Sequence, residues 1–270
     1  MRSSTGIGVF DSGVGGLTVV RSLTERLPKE EIVYLGDTAR VPYGSKSAET
    51  VARYSRMAAR FLVDQGVKMV VIACNTASAF ALEALRAELP LPVLGAIEPG
   101  ARAAVAATRT GRVAVIGTLG TVRSGSYARA IAAVDARVQV TARACPLLVP
   151  LAEEGWLDDE VAAAVARRYL GELAVEAPEA DVLVLGCTHY PLLRPLLTRV
   201  AHESFGHAMT LVDSAEAMAD VARGELARLG LLRSDSGAGL RCYVTDDARI
   251  DEVGHRFLGR HLGDVVRVDL

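Results

Sequence analysis

The sequence predicts an α/β protein built from two similar units, each with a mostly parallel sheet. Two observations carry that prediction. Short β-rich apolar runs alternate with Ala-, Leu- and Arg-rich stretches of helical period along the whole chain, and buried strands separated by helices form parallel sheets covered on both faces. The second observation is an internal echo: Val70-Val-Ile-Ala-Cys-Asn-Thr76 reads like Val182-Leu-Val-Leu-Gly-Cys-Thr188. At 270 residues the chain is long enough for one large domain or two modest ones, each with its own core.

In chain order the strands are expected at Ile7–Phe10, Ile32–Leu35, Val67–Ala73, Val93–Ala96, Val113–Gly117, Val138–Ala142, Val182–Gly186 and Thr210–Val212. The tail adds Leu240–Thr245 and Val265–Val268. Ala77–Glu88 and Asp159–Ala174 have amphipathic helical spacing. A strand ending in a small polar turn lies upstream of each half of the echo, Val9-Phe-Asp-Ser-Gly13 and Val115-Ile-Gly-Thr-Leu119. Asp11 and Gly117 are then counterparts. Each unit would present a cysteine at a strand's C-terminal edge, where open parallel sheets bind ligands. Glu98-Pro99-Gly100 punctuates the passage between units and is expected to be a hinge.

Composition excludes several function classes. A net charge of −2 gives no electrostatic case for nucleic acid or an anionic membrane, and one Trp leaves little material for stacking bases. The apolar runs are strand-length, too short to span a bilayer, and the start of the chain carries no secretory pattern. The four cysteines, at 74, 145, 187 and 242, have no CxxC spacing. Neither a disulfide framework nor a metal site is expected, and a reducing, cytoplasmic setting is.

Chemistry concentrates at the strand edges. Cys74 precedes a helix expected to begin near Thr76, and the partial positive charge of a helix start stabilises a thiolate. Cys187 is expected in the same strand-to-turn setting. Either cysteine alone reads equally well as an inert core residue; the matched pair favours function. Asp11 opens Ser12-Gly13-Val14-Gly15-Gly16-Leu17-Thr18, a loop whose N–H groups could converge on a small carboxylate. Helix capping is the plainer use of that Asp. The glycines fail the dinucleotide fingerprint, because Thr18 stands where its third glycine belongs. That weakens a nicotinamide enzyme as an alternative. His189 follows Cys187 by two residues, and Glu153 or Glu154, ahead of Trp156, could supply a carboxylate to it; two acids there also suit a solvated first helical turn. Cys145 and Cys242 are expected to be structural, and His202 and His207 to fall in a polar loop without metal-ligand spacing.

At this point the residues resemble a known family. Gly8-Val-Phe-Asp-Ser-Gly-Val-Gly-Gly-Leu-Thr18, Tyr34-Leu-Gly-Asp-Thr-Ala-Arg-Val-Pro-Tyr-Gly44, Ala73-Cys-Asn-Thr-Ala-Ser78 and Leu185-Gly-Cys-Thr-His-Tyr-Pro191 are similar, in order and nearly end to end, to motifs of glutamate racemases of the aspartate/glutamate racemase family. The resemblance implies two flavodoxin-like domains related by a pseudo-twofold axis with the active site between them. The first would take residues 1–97 plus 212–270 and the second 98–211. It implies cofactor-independent interconversion of L- and D-glutamate for peptidoglycan synthesis, with Cys74 and Cys187 as the catalytic pair. Asp11 would assist Cys74, while Glu153 and His189 would assist Cys187. Ser12, Tyr43, Gly44, Asn75, Thr76 and Thr188 would join Asp11 and His189 in holding the substrate. Glutamate is the expected small-molecule partner, a homodimer the expected assembly, and neither cofactor nor metal is expected. Aspartate and hydantoin racemases share paired cysteines, so pocket size decides among them. Binding to DNA gyrase, a different class of role, has no acidic mimic run or dedicated extension behind it.

Overall fold

A computed structural model describes residues 5–235 and 238–270. The chain forms two compact units, 1–96 with 215–270, and 97–214.

The first unit contains β1 (Ile7–Asp11), α1 (Leu17–Arg26), β2 (Glu31–Gly36), α2 (Ala48–Asp64), β3 (Met69–Ile72), α3 (Asn75–Glu88) and β4 (Val93–Gly95). Short 3-10 turns at Thr38–Arg40 and Tyr43–Ser45 follow β2. The second unit runs through α4 (Ile97–Ala107), β5 (Arg112–Gly117), α5 (Leu119–Arg123), α6 (Ser126–Val134), β6 (Gln139–Ala144), α7 (Leu148–Glu154), α8 (Glu160–Glu176), β7 (Val182–Gly186), α9 (Arg194–Phe205) and β8 (Thr210–Asp213). The chain then returns to the first unit with α10 (Ser214–Arg228), β9 (Gly239–Val244), α11 (Ile250–Leu258) and β10 (Val265–Arg267).

The first sheet has the order β10-β9-β2-β1-β3-β4 and the second β6-β5-β7-β8. Every strand pairing is parallel. Removing β9 and β10 leaves β2-β1-β3-β4, the same topology as the second sheet with β1 matched to β5 and β3 to β7. The register extends the match to single residues. Phe10 pairs with Ile72 in the first sheet, and Ile116 pairs with Leu185 in the second. Asp11 and Gly117 therefore occupy corresponding positions, and Cys74 and Cys187 each stand two residues past the matched pair.

Buried strands explain the continuous apolar runs. Ile7, Val9, Phe10 and Val70–Ile72 are solvent-free, as are Val182–Leu185. One core of the first unit gathers Phe10, Val33, Leu35, Leu62, Ile72 and Leu85 under α2 and α3; α1 packs with α11. At the opposite end from the cysteine, just before β3, the buried Lys68 ammonium meets Glu30 at 2.5 Å and donates to the Leu231 carbonyl at 2.8 Å. Arg233 N donates to the other Glu30 oxygen. The returning segment is thus pinned under the first sheet. Among the described residues no helix is long and apolar enough to cross a membrane.

Three expectations change. Glu98-Pro99-Gly100 lies inside α4 rather than in a hinge loop, because a proline in the first helical turn gives up only an N–H that has no helical acceptor. Thr210–Asp213 pairs with β7 along its full length, so the return to the first unit comes at Ala215, not at residue 212. Glu153 and Glu154 end α7 instead of opening a helix.

Candidate active site

In the first unit, β1 and β3 end side by side. Ala73 N donates to the Phe10 carbonyl and Asp37 N to that of Asp11, which brings Asp11, Asp37 and Cys74 to one sheet edge. Cys74 is the N-cap of α3, with extended backbone and its sulfur accepting from Ala77 N at 3.4 Å. The helix therefore starts at Asn75, one residue ahead of expectation, and its positive end favours negative charge on the cap sulfur. Ser12 Oγ lies 3.5 Å from Cys74 Sγ. Asn75 and Thr76 are buried in the first helical turn. Ser78 ties that turn to the sheet, donating to the Ile72 carbonyl and accepting from Ala96 N.

Asp11 is solvent-free, and its Oδ2 accepts from Gly13 N at 3.0 Å. The cap position of α1 belongs to Gly16, with no side-chain cap bond, so Asp11 is not the helix cap. Nor do the loop glycines take left-handed conformations, and the Gly13 N–H is spent on Asp11 rather than offered to an anion. What the loop needs is close approach. A Cβ on Gly16 would sit 2.5 Å from that of Asp11, so only glycine lets α1 begin against that carboxylate.

Tyr43 departs from the substrate-holding role in one respect. Its buried hydroxyl donates to Asp37 Oδ2 at 2.5 Å, and burial followed by the Asp37 charge pushes that phenol far above its ordinary range. Asp37 also accepts from Arg40 Nε and Thr245 Oγ1, and Thr245 accepts from Ala39 N. Gly44 follows in a 3-10 turn shaped by this network.

In the second unit, Cys187 follows β7 directly. Its carbonyl accepts from Tyr190 N, starting a 3-10 turn over Tyr190–Leu193 rather than an α-helix capped by sulfur. The expected equivalence of settings stops there. Support comes instead from His189, whose Nδ1 lies 3.8 Å from Cys187 Sγ and 3.4 Å from Thr188 Oγ1. His189 Nε2 meets Glu153 Oε1 at 2.9 Å. Burial alone would lower the imidazole pKa, but the bonds to Cys187 and Glu153 outweigh it and raise the pKa to about 10. A doubly protonated ring donates to both partners at neutral pH. Glu153 ends α7, where the helix dipole disfavours an acid; a cation opposite it reverses that penalty. Glu154, next in sequence, is exposed.

The other two thiols are buried, and burial pushes both Cys145 and Cys242 up to about 12, which keeps them protonated. Among the described residues no group of three His, Cys, Asp or Glu side chains is placed to hold a metal ion. Sequence reasoning missed Tyr34 and Asp37, although both lie in the Tyr34–Gly44 motif. It also missed Tyr127, fully buried, whose ring would lie 3.0 Å from a Cβ on Gly186.

Two parallel α/β units of like topology, each carrying a cysteine with hydrogen-bonded support at a carboxyl strand edge, define a class of paired-domain α/β proteins. Comparison with known proteins narrows the class. Residues 7–222 match the family described as Asp/Glu/Hydantoin racemase, and the chain belongs to that family of isomerases. It is 56% identical over 267 residues, 98% of this chain and 96% of the relative, to a glutamate racemase of Geobacter metallireducens. The solved glutamate racemase isoform RacE1 of Bacillus anthracis matches with a TM-score of 0.94 at 38% identity, covering 100% of this chain and 99% of that one. A Francisella tularensis glutamate racemase solved with D-glutamate matches with a TM-score of 0.91 at 33% identity, covering 99% and 98%.

Proposed function

We propose that this racemase interconverts L- and D-glutamate without a cofactor, using Cys74 and Cys187 as two opposed acid/base groups, and that its product serves peptidoglycan synthesis. The observation that carries the reading is the matched register. Both sulfurs stand two residues past corresponding strand pairs, and each is bonded to a polar neighbour. The glutamate assignment draws on relatives of that name matched over nearly the whole chain, one of them solved with D-glutamate.

Racemisation removes a proton from one face of Cα and returns one to the other. A single base tends to return the proton where it was taken. Two thiols remove that restriction: one, as thiolate, abstracts, the other donates, and the roles exchange for the reverse direction. The Cα proton of a free amino acid is a very weak acid, so donors must meet the developing charge on the substrate carboxylate in a site that excludes water. Asn75, Thr76 and Thr188 follow the two cysteines in sequence and Ser12 lies 3.5 Å from the Cys74 sulfur, and we assign substrate holding to them. Asp11 assists Cys74; His189, held protonated by Glu153, assists Cys187. The absence of a disulfide among the four cysteines suits a reducing cytoplasm, and a twofold dimer is the assembly expected of such a chain.

The test is pure protein with L-glutamate in D2O and no added cofactor. D-Glutamate should accumulate with deuterium at Cα. Turnover only after pyridoxal phosphate or a nicotinamide is supplied would overturn the reading, and faster turnover of aspartate in a parallel incubation would reassign the substrate.

A further inference from the structure

The loop after β1 is held by its backbone more than by its side chains. Gly13 N donates to Asp11 Oδ2 at 3.0 Å, and the Gly13 carbonyl accepts from the Tyr34 hydroxyl at 2.7 Å. The same carbonyl rests on Gly36, where a Cβ would sit 2.6 Å from it. Tyr34 and Gly36 both belong to β2 and face the same side of it, so one strand meets the carbonyl at two points. Tyr34 is solvent-free, and its phenol is pushed well above the ordinary range by burial first, then by Asp11, Cys242 and Cys74. A hydroxyl that stays protonated and lies within electrostatic reach of Asp11 and Cys74 is a permanent donor at this strand edge. Ser12, one residue before the gripped peptide, lies 3.5 Å from the Cys74 sulfur.

We infer that Tyr34 is a positioning residue for proton transfer at Cys74: its hydroxyl fixes the Gly13 carbonyl and thereby Gly13 itself, whose N–H holds the Asp11 carboxylate and which directly follows Ser12. The inference rests on the two-cysteine reading above. It assigns Tyr34 to one half of the reaction only, since Tyr34 belongs to the unit that carries Cys74.

Tyr34→Phe removes the donor and keeps the ring. Racemisation has an equilibrium constant of one, so kcat/KM must fall equally for the two enantiomers, here by about tenfold, as expected for losing one buried positioning bond. The Cα-deuterium isotope effect separates the halves, because it grows only for the enantiomer whose proton the impaired side removes. It should rise with Tyr34→Phe for the same enantiomer as with Asp11→Asn, and fall toward unity for the other, whose abstraction becomes reversible. A purely structural tyrosine would lower the thermal midpoint and leave both isotope effects alone. Gly36→Ala displaces the same carbonyl with the tyrosine intact and should select the same enantiomer. Wild-type kcat/KM in Tyr34→Phe, or isotope effects that change alike for both enantiomers, would overturn the inference while Cys74→Ala and Asp11→Asn remain impaired. Full turnover in those two variants would instead sink the two-cysteine reading and the role of Tyr34 with it.

Discussion

The two units repeat a topology and a register but not a chemistry. In the first, Cys74 caps a 14-residue helix and has Ser12 beside it, with the acid supplied by β1 itself as Asp11. In the second, the position of Asp11 is taken by Gly117, where a Cβ would lie 3.2 Å from the Gly186 carbonyl and 3.3 Å from Thr121 Cγ2. A side chain there is crowded, and the neighbours would have to give by a few tenths of an ångström to admit one. Cys187 draws on His189, two residues onward, and on Glu153 from the end of α7. One sulfur is served by a helix terminus and the other by a discrete cation. The strands are bound by pairing on both sides and keep their pattern, whereas the turns beyond them are free to diverge. On the proposed two-thiol mechanism this asymmetry is tolerated, because the reaction needs two competent proton carriers, not two identical ones.

The comparison breaks most severely at the sulfurs. Cys74→Ala and Cys187→Ala should each lower racemase kcat/KM at least about a thousandfold, the upper range for a positioned proton carrier, with circular dichroism unchanged. Cys145→Ala, in the same unit as Cys187 but with its thiol held protonated by burial, should stay within about twofold of wild type, because its cost falls on packing alone. A Cys145 variant as impaired as Cys187→Ala would remove the distinction between catalytic and structural thiols.

The next largest effects sharpen the contrast between supports. Asp11→Asn and His189→Asn should each cost about a hundredfold. Their Cα-deuterium isotope effects should rise for opposite enantiomers, since each variant makes a different proton transfer limiting. Isotope effects rising for the same enantiomer in both would assign Asp11 and His189 to one sulfur and end the division of labour between the units.

Much of this was legible in the sequence because it depends on short-range signals. Each of the ten strands of the described residues falls on a run read from the sequence; β1, β3 and β7, covered on both faces, have no polar side to dilute that run, whereas β6 and β10 are partly exposed and carry polar residues. The cysteine echo locates the corresponding strand edges. What escaped is what depends on residues distant in sequence or on backbone geometry. The Tyr34 bond to the Gly13 carbonyl spans 21 positions, and that from Thr245 to Asp37 spans 208. Neither leaves a periodic trace. Residue spacing leaves Glu153 and Glu154 open and only the family resemblance chooses Glu153; the physical reason is the rotation of α7, which places Glu153 against His189 and leaves Glu154 exposed. The hinge expected at Pro99 failed because proline marks the first turn of a helix as readily as a loop.

The smallest expected effects concern that pair of acids and the proton they govern. Glu153→Gln removes one of the two partners that raise His189, so its pKa should fall from about 10 toward the ordinary value of about 6.5. The alkaline limb of kcat/KM should move to lower pH, with about a tenfold loss at neutral pH. Glu154→Gln, on the exposed side of the same helix end, should leave the profile in place. Stability carries the same sign. His189 binds its proton more tightly folded than unfolded, so its contribution is complete below about pH 6.5 and disappears as pH rises through about 10. The thermal midpoint of the wild type should decline across that window, and His189→Asn should flatten the decline. If the wild-type and His189→Asn curves ran parallel from pH 6 to 10, the imidazolium would not be the group that couples the Glu153 carboxylate to Cys187.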